Sequence, residues 1–347
     1  MTVNASIAAR PTPPEGVAAK HGRSSQSTQA TALYILVLAV VVVLAAVYSQ
    51  RHDGIFACGA SGYGTDRYLA YCQATSYGDY DHGAFWFGLE PATAKAATEA
   101  RVLVIGNSRT QIGFSTSATA DWFSAGSVPF YLLGFSHNGN VNFEGPLLAR
   151  LGARPTVLVV NTDLFFEPKE TSPAGTVMHD AGAQARYRQK QLWQRFHRSI
   201  CTALPIACSD EPAFYRSRPT GLWVERGGQF SAAPVSYDSI VDQEALRRYT
   251  PAATRFLAQL PLARECVILT IVPTVKTGLA TARALASSLG VDLVAPELDG
   301  LATYDASHLD QPSAERWSAA FFEAAGPRIR HCLDRRSSSA SAVPEEQ

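Results

Sequence analysis

The chain shows no excess of charge of either sign: 30 Lys and Arg stand against 30 Asp and Glu in 347 residues, for a formal net charge of +0. No stripe of basic residues breaks that balance, so a nucleic-acid partner is not expected. Cys-x-x-Cys and His-x-x-x-His spacings are both missing, and neither a structural metal nor an organic cofactor is expected. Internal repeats and long low-complexity tracts are missing too, which sets aside a solenoid. No cysteine occurs in the first 57 residues. What remains, 46% hydrophobic and 17% charged residues, is a globular composition long enough for one large domain or two ordinary ones.

One apolar run stands out against this background. Ala30 to Tyr48 carries no charge. At about 1.5 Å per residue it reaches roughly 28 Å as a helix, close to the ~30 Å of a hydrocarbon core. A buried core helix and a cleaved signal peptide are the rival readings. The first is rarely so uniformly apolar; the second needs a small-x-small cleavage site, and Leu44-Ala45-Ala46-Val47-Tyr48 is a poor one. An uncleaved anchor in the inner (cytoplasmic) membrane is therefore expected. Arg10, Lys20 and Arg23 before the span, against Glu15, favour a cytoplasmic N-terminus and a domain in the periplasm or its extracytoplasmic equivalent.

All six cysteines follow the span, as suits an oxidising compartment. Proximity in sequence pairs Cys58 with Cys72 and Cys201 with Cys208, leaving Cys266 with Cys332; reduced buried thiols are the alternative.

Composition divides the rest. Residues 1–29 and 335–347 read as disordered tails, and 49–100 as a loop-rich lead-in. Residues 101–334 form the main domain, an α/β architecture. Continuous apolar runs at Val102–Ile105, Phe130–Leu133, Thr156–Asn161, Cys266–Val272 and Val291–Val294 predict strands buried on both faces. Helical patterns lie between them at Phe143–Leu151, Gln243–Leu260 (broken or kinked near Pro251) and Gly278–Leu289. A final helix is capped by Asp310, carries Pro312 in its first turn, and buries Trp317, Phe321 and Ala324. Strands alternating with helices predict a mostly parallel sheet covered on both sides. Residues 167–237 interrupt the pattern and read as an inserted helical subdomain or lid.

Two short segments carry the chemistry. The strand Arg101–Ile105 runs directly into Gly106-Asn107-Ser108, which presents a hydroxyl at the carboxyl edge of the sheet, where such folds bind ligands. Asp305-Ala306-Ser307-His308 supplies an acid and an imidazole three residues apart. In this reading Ser108 is the nucleophile, His308 its base and Asp305 the group that fixes the imidazole tautomer. The Ser108 amide, the Gly134 amide and the Asn161 side chain are the candidate oxyanion donors. A second Asp-x-x-His copy, Asp79-Tyr80-Asp81-His82, lies in the lead-in before the sheet begins; His82 is expected at the surface, with a place lining the cleft as the alternative.

This arrangement resembles the SGNH (GDSL-like) hydrolases. The matching parts are Gly106-Asn107-Ser108 as the first block, Gly134 as the second, Asn161 as the third and Asp305-x-x-His308 as the last. The third block reads Val-Asn-Thr-Asp where the family usually has Gly-x-Asn-Asp, and Asn107 stands where many members have Asp. The resemblance implies a three-layer α/β/α fold of flavodoxin-like type. With a membrane anchor, it implies the envelope subgroup: esterases or O-acyltransferases acting on ester groups of cell-surface polysaccharide. The partners implied are an acylated glycan and a membrane acyl-transfer or polysaccharide-synthesis complex. A non-catalytic member that binds or scaffolds such a complex is the alternative.

Overall fold

The computed structural model describes residues 24–73, 77–137, 139–226 and 232–340. The chain divides into two units, Met1–Ser49 and Gln50–Gln347. Helix α1 (Ser24–His52) contains the stretch Gln29–Ser49, with mean hydropathy 2.9 and none of it buried, which is long and apolar enough to cross a membrane. The helix starts before the apolar run. Residues 24–29, expected in the disordered tail, are therefore helical, while 1–23 lie outside the described residues.

In the second unit the strands are β1 (Arg67–Cys72), β2 (Val102–Asn107), β3 (Phe130–Phe135), β4 (Val157–Asn161), β5 (Ala213–Ser217), β6 (Trp223–Arg226), β7 (Ala233–Pro234), β8 (Val267–Thr270), β9 (Asp292–Leu293) and β10 (Ala302–Thr303). The helices are α2 (Asp81–Trp86), α3 (Pro91–Glu99), α4 (Ser108–Phe114), α5 (Ser117–Ala125), α6 (Val141–Leu151), α7 (Ser172–His179), α8 (Ala183–Ala203), α9 (Gln243–Gln259), α10 (Leu279–Leu289) and α11 (Gln311–Ala340).

The five apolar runs form one parallel sheet in the order β3-β2-β4-β8-β9, with Ile105 level with Leu133 on one side and Val160 on the other. Alternate residues feed two cores. Leu103, Ile105, Leu133 and Val160 pack with Phe143, Leu147 and Phe256, whereas Val102, Val104, Leu132 and Val159 pack with Phe114, Phe123, Trp317 and Phe321. Each such side chain contributes about 1.5–3 kcal/mol when buried, which is why β2, β3 and β4 tolerate no polar alternation; β9, expected to be buried on both faces, is instead exposed at Asp292 and half-buried at Leu293. In α11 the buried face runs through Trp317, Phe321 and Ala325; Ala324, expected on it, points to solvent. Helix α9 continues through Pro251 as a single helix. The expected C-terminal tail also begins late, because α11 extends to Ala340; 341–347 lie outside the described residues.

The lead-in is more structured than its composition predicts. It holds β1, α2 and α3, and β1 pairs antiparallel with β5 of the insert, Arg67 opposite Ser217 and Cys72 opposite Ala213. The insert is correspondingly not purely helical: after α7 and α8 it supplies β5 and β6, completing a three-stranded sheet, and β7. The disulfides are Cys58–Cys72 and Cys201–Cys208, as sequence proximity pairs them, and Cys266–Cys332, the pair left over.

One buried ion pair joins these pieces to the edge of the main sheet. Arg216 and Asp81 are both fully buried and bonded through Nη2 to Oδ2 at 2.6 Å, with Tyr68 donating to Asp81 Oδ1 at 2.6 Å. The guanidinium also donates to the carbonyls of Leu132 and Gly134. The Leu132 amide donates to Thr220 O at 2.9 Å. Lead-in and insert thus satisfy the backbone of edge strand β3, which would otherwise be open to pairing.

Candidate active site

Gly106, next to last in β2, has φ +146°, in the region that favours glycine; a Cβ there would stand 2.3 Å from Thr110 Oγ1. Its amide turns to Glu144 Oε2 at 3.1 Å on α6. Burial pushes the Glu144 carboxyl well above the usual range. Asn107 caps α4, its Oδ1 accepting the Arg109 amide at 3.0 Å, and its Nδ2 donates to Asp163 O at 2.9 Å. Ser108 is therefore the first residue of the helix, held from both sides.

The other half of the site is a small closed loop between β10 and α11. Thr303 and Leu309 form an antiparallel bridge, and the Tyr304 amide donates to His308 O at 2.9 Å. Ala306 takes φ +66°, a conformation non-glycine residues seldom adopt and one that recurs at functional sites. Asp305 Oδ1 accepts the amides of Ser307 and His308 at 2.9 and 2.7 Å, leaving Oδ2 for His308 Nδ1 at 2.7 Å. Half-burial works against the Asp305 charge, but the His308 ring and these amides hold its carboxyl below the ordinary carboxylate range. The far side of the imidazole, Nε2, lies 2.8 Å from Ser108 Oγ, across 200 residues of sequence.

Ser108, His308 and Asp305 thus come together in one line of hydrogen bonds, within the 2.6–3.2 Å window that proton transfer requires. Of the three predicted oxyanion donors, the two beyond Ser108 are both hydrogen-bonded within the protein. The Gly134 amide is engaged by Gln111 Oε1 at 2.9 Å, and Gln111 Nε2 in turn donates to Gly221 O at 2.6 Å. That corrects the assignment of Gly134 as an oxyanion donor. Its lack of a side chain serves the close approach of β2 and β3, since a Cβ would stand 2.8 Å from Asn107 O. Asn161 is fully buried at the end of β4. Its Oδ1 accepts the Val272 amide at 3.2 Å, and its Nδ2 lies 3.4 Å from Asn107 Oδ1, one residue from Ser108.

Several residues of the site carried no signal strong enough to single them out. Arg109, next to Ser108, donates through Nε to Ser307 Oγ at 2.9 Å and pairs with Asp163, tying the His308 loop to the end of β4. Tyr304 stacks on His308 with ring centroids 5.7 Å apart and 19° between planes, and its hydroxyl bonds Glu225 of β6. Burial pushes the Glu225 carboxyl up to about 7, the Tyr304 bond opposing and the Asp305 charge reinforcing the shift. Adjacency to the two motifs was the available clue for Arg109, Tyr304 and Ser307; nothing in sequence points to Glu225.

His82 is not at the surface. It is fully buried, its Nδ1 2.9 Å from Asp79 Oδ1, between the rings of Phe135 and Phe143. A cavity of about 690 Å³ opens at the carboxyl edge of β3 and β4, lined by His137, Asn140, Leu164, Glu167 and Lys169. No cluster of free metal ligands accompanies the site among the described residues; the one convergent group, His197 with Cys201 and Cys208, has both thiols in a disulfide. Comparison of the chain with family models, curated proteins and solved structures gives no match.

Proposed function

We propose that this chain is a membrane-anchored serine hydrolase of SGNH type, an esterase or O-acyltransferase acting on ester groups of cell-surface polysaccharide. The observation that carries the reading is the continuous Ser108–His308–Asp305 hydrogen-bonded line. In this mechanism His308 Nε2 takes the Ser108 proton as Oγ attacks the ester carbonyl. Charged Asp305 holds Nδ1–H and stabilises the imidazolium. The Ser108 amide is the oxyanion donor, and Asn161 Nδ2 joins it only on leaving Asn107 Oδ1. Collapse of the tetrahedral intermediate returns the proton to the leaving alcohol and leaves acyl-Ser108. Water then gives hydrolysis, and a sugar hydroxyl gives transfer. Neither step needs a metal or organic cofactor. The three-layer α/β/α arrangement, the cytoplasmic N-terminus and the extracytoplasmic domain belong to the same reading, supported by the apolar helix and the three disulfides.

Turnover of p-nitrophenyl acetate by the full chain, with and without a glycan acceptor, tests it. Wild type is expected to release nitrophenol and Ser108→Ala to lose that release; equal rates would remove the proposal. Acetylated acceptor marks transfer, and free acetate marks hydrolysis.

One observation favours a second reading. With the Gly134 amide engaged by Gln111 and Asn161 Nδ2 by Asn107, both further oxyanion donors that the family resemblance implies are occupied. A non-catalytic protein that binds or scaffolds glycan through the same edge would show no turnover and unchanged glycan binding in Ser108→Ala.

A further inference from the structure

Helix α8 has two faces of different character. Ala183, Tyr187, Gln194, His197 and Cys201 are buried against the domain. Opposite them Leu192, Trp193, Phe196 and Ile200 form a continuous exposed apolar stripe, Phe196 at 59% exposure. The stripe continues into Leu204 and Ile206, the latter 75% exposed on a short loop closed by the Cys201–Cys208 disulfide. A soluble domain seldom leaves such a stripe uncovered. The charge around it is of one sign: residues 183–208 contain five Lys and Arg and no Asp or Glu. Arg188 and Arg195 are exposed along the helix beside the stripe. Aromatic and aliphatic residues on one side, with exposed Arg flanking them, are the composition of a helix that lies in a membrane interface.

Chain connectivity supplies the second line of argument. The apolar span ends at Ser49, and the first fixed turn of the domain, Ile55–Ala57, follows after five residues. Six Cα steps reach at most about 21 Å, so Ile55 cannot stray further than that from the end of the span. That turn is bonded to α8 and its disulfide loop. His197 Nε2 bonds Cys58 O at 3.0 Å, the Phe56 and His197 rings lie 5.8 Å apart, and the Ser209 amide donates to Phe56 O at 2.8 Å. Through these bonds α8 and its disulfide loop are fixed to the turn at which the domain begins.

From these observations we infer that α8 and the Cys201–Cys208 loop dock on the surface of an anionic lipid bilayer. The stripe enters the headgroup boundary and Arg188 and Arg195 meet lipid phosphates. The inference rests on the anchoring reading of α1 and is independent of the chemistry at Ser108.

The test reconstitutes the full chain into bilayers containing brominated phospholipid, with and without anionic lipid, and reads tryptophan emission in wild type and Trp193→Phe. In anionic bilayers the Trp193 contribution, taken as the difference between the two proteins, is expected to be quenched. Phe196→Ser with Ile200→Ser, both at exposed positions, is expected to restore it. Equal quenching in wild type and Trp193→Phe would overturn the docking. So would Trp193 shielded from both bromolipid and aqueous iodide, with single-molecule counting showing pairs that Phe196→Ser separates, because a second copy would then cover the face. Alkaline carbonate extraction reads the anchor separately. Retention with Trp193 unquenched strikes the docking alone, and release with Trp193 still quenched strikes the anchor alone.

Discussion

Two Asp-x-x-His segments in this chain make the same side-chain pair on different backbones, a helix start and a loop with Ala306 left-handed, and end in different surroundings. In Asp79–His82 and in Asp305–His308 the imidazole Nδ1 meets the carboxylate three residues earlier, at 2.9 and 2.7 Å. The spacing by itself produces the pair. The difference lies on the other side of the ring. His82 is fully buried against Phe135 and Phe143, and its Nε2 has no hydrogen-bond partner among the described residues. His308 keeps partial contact with solvent and sets Nε2 on Ser108 Oγ. Asp79 meanwhile serves as a packing hub, accepting Ser136 Oγ at 3.2 Å and Tyr187 OH at 3.0 Å. A motif of this kind makes an oriented imidazole, and its position in the fold decides whether there is anything for that imidazole to act on.

The sharpest way to break the comparison is to remove each ring. His308→Ala should lower turnover at Ser108 by roughly 10⁴–10⁶-fold. His82→Ala should leave turnover per folded molecule unchanged while costing about 2–4 kcal/mol of stability through the cavity it opens. Active-site titration alongside denaturant melts separates the two effects. Exchanging the acids comes next. Asp305→Asn should lower the rate about 10³–10⁴-fold with the fold intact, because the wrong tautomer is then held, and Asp79→Asn should not alter the rate. A third contrast lies within the buried copy. Asp81→Asn strips the charge partner from fully buried Arg216 and should cost about 3–5 kcal/mol in chemical denaturation, with turnover of the folded fraction retained.

The smallest expected effect is on pH. Burial raises the Asp79 carboxyl, but His82, its hydrogen bond and Lys190 outweigh that and hold it at about 2, below the ordinary 3.8. A depressed carboxylate contributes stability that is present above pH 3.8 and lost as pH falls toward 2, on the order of 2 kcal/mol. Glu225 runs the other way. Raised from 4.5 to about 7, it takes stability away as pH rises through that window. Asp79→Asn should flatten the acid limb of a melting-temperature profile, and Glu225→Gln the limb between pH 4.5 and 7.

The elements legible in sequence were those whose signal is local. Strands buried on both faces appear as unbroken apolar runs; two disulfides and the Asp-His pairs follow from close spacing, and the third disulfide is the pair that remains. The rest depended on partners far away. β1 looks like a Gly- and Tyr-rich lead-in until β5, about 140 residues later, gives it hydrogen bonds. His82 resembles a surface histidine until Phe135 and Phe143 close over it. Gly134 follows a strand as an oxyanion glycine would, but whether its amide is open depends on Gln111, which belongs to a different element. Ala324 fell off its predicted face because period 3.6 places Ala325 beneath Phe321 equally well.

The central claim is that Ser108 is the reacting hydroxyl, and covalent labelling with a fluorophosphonate, read by intact mass and peptide mapping, tests it most directly. The account predicts a single adduct on Ser108 in wild type and in His82→Ala, and none in Ser108→Ala or His308→Ala. A folded wild-type protein that takes up no label, or label that persists in Ser108→Ala, would contradict it.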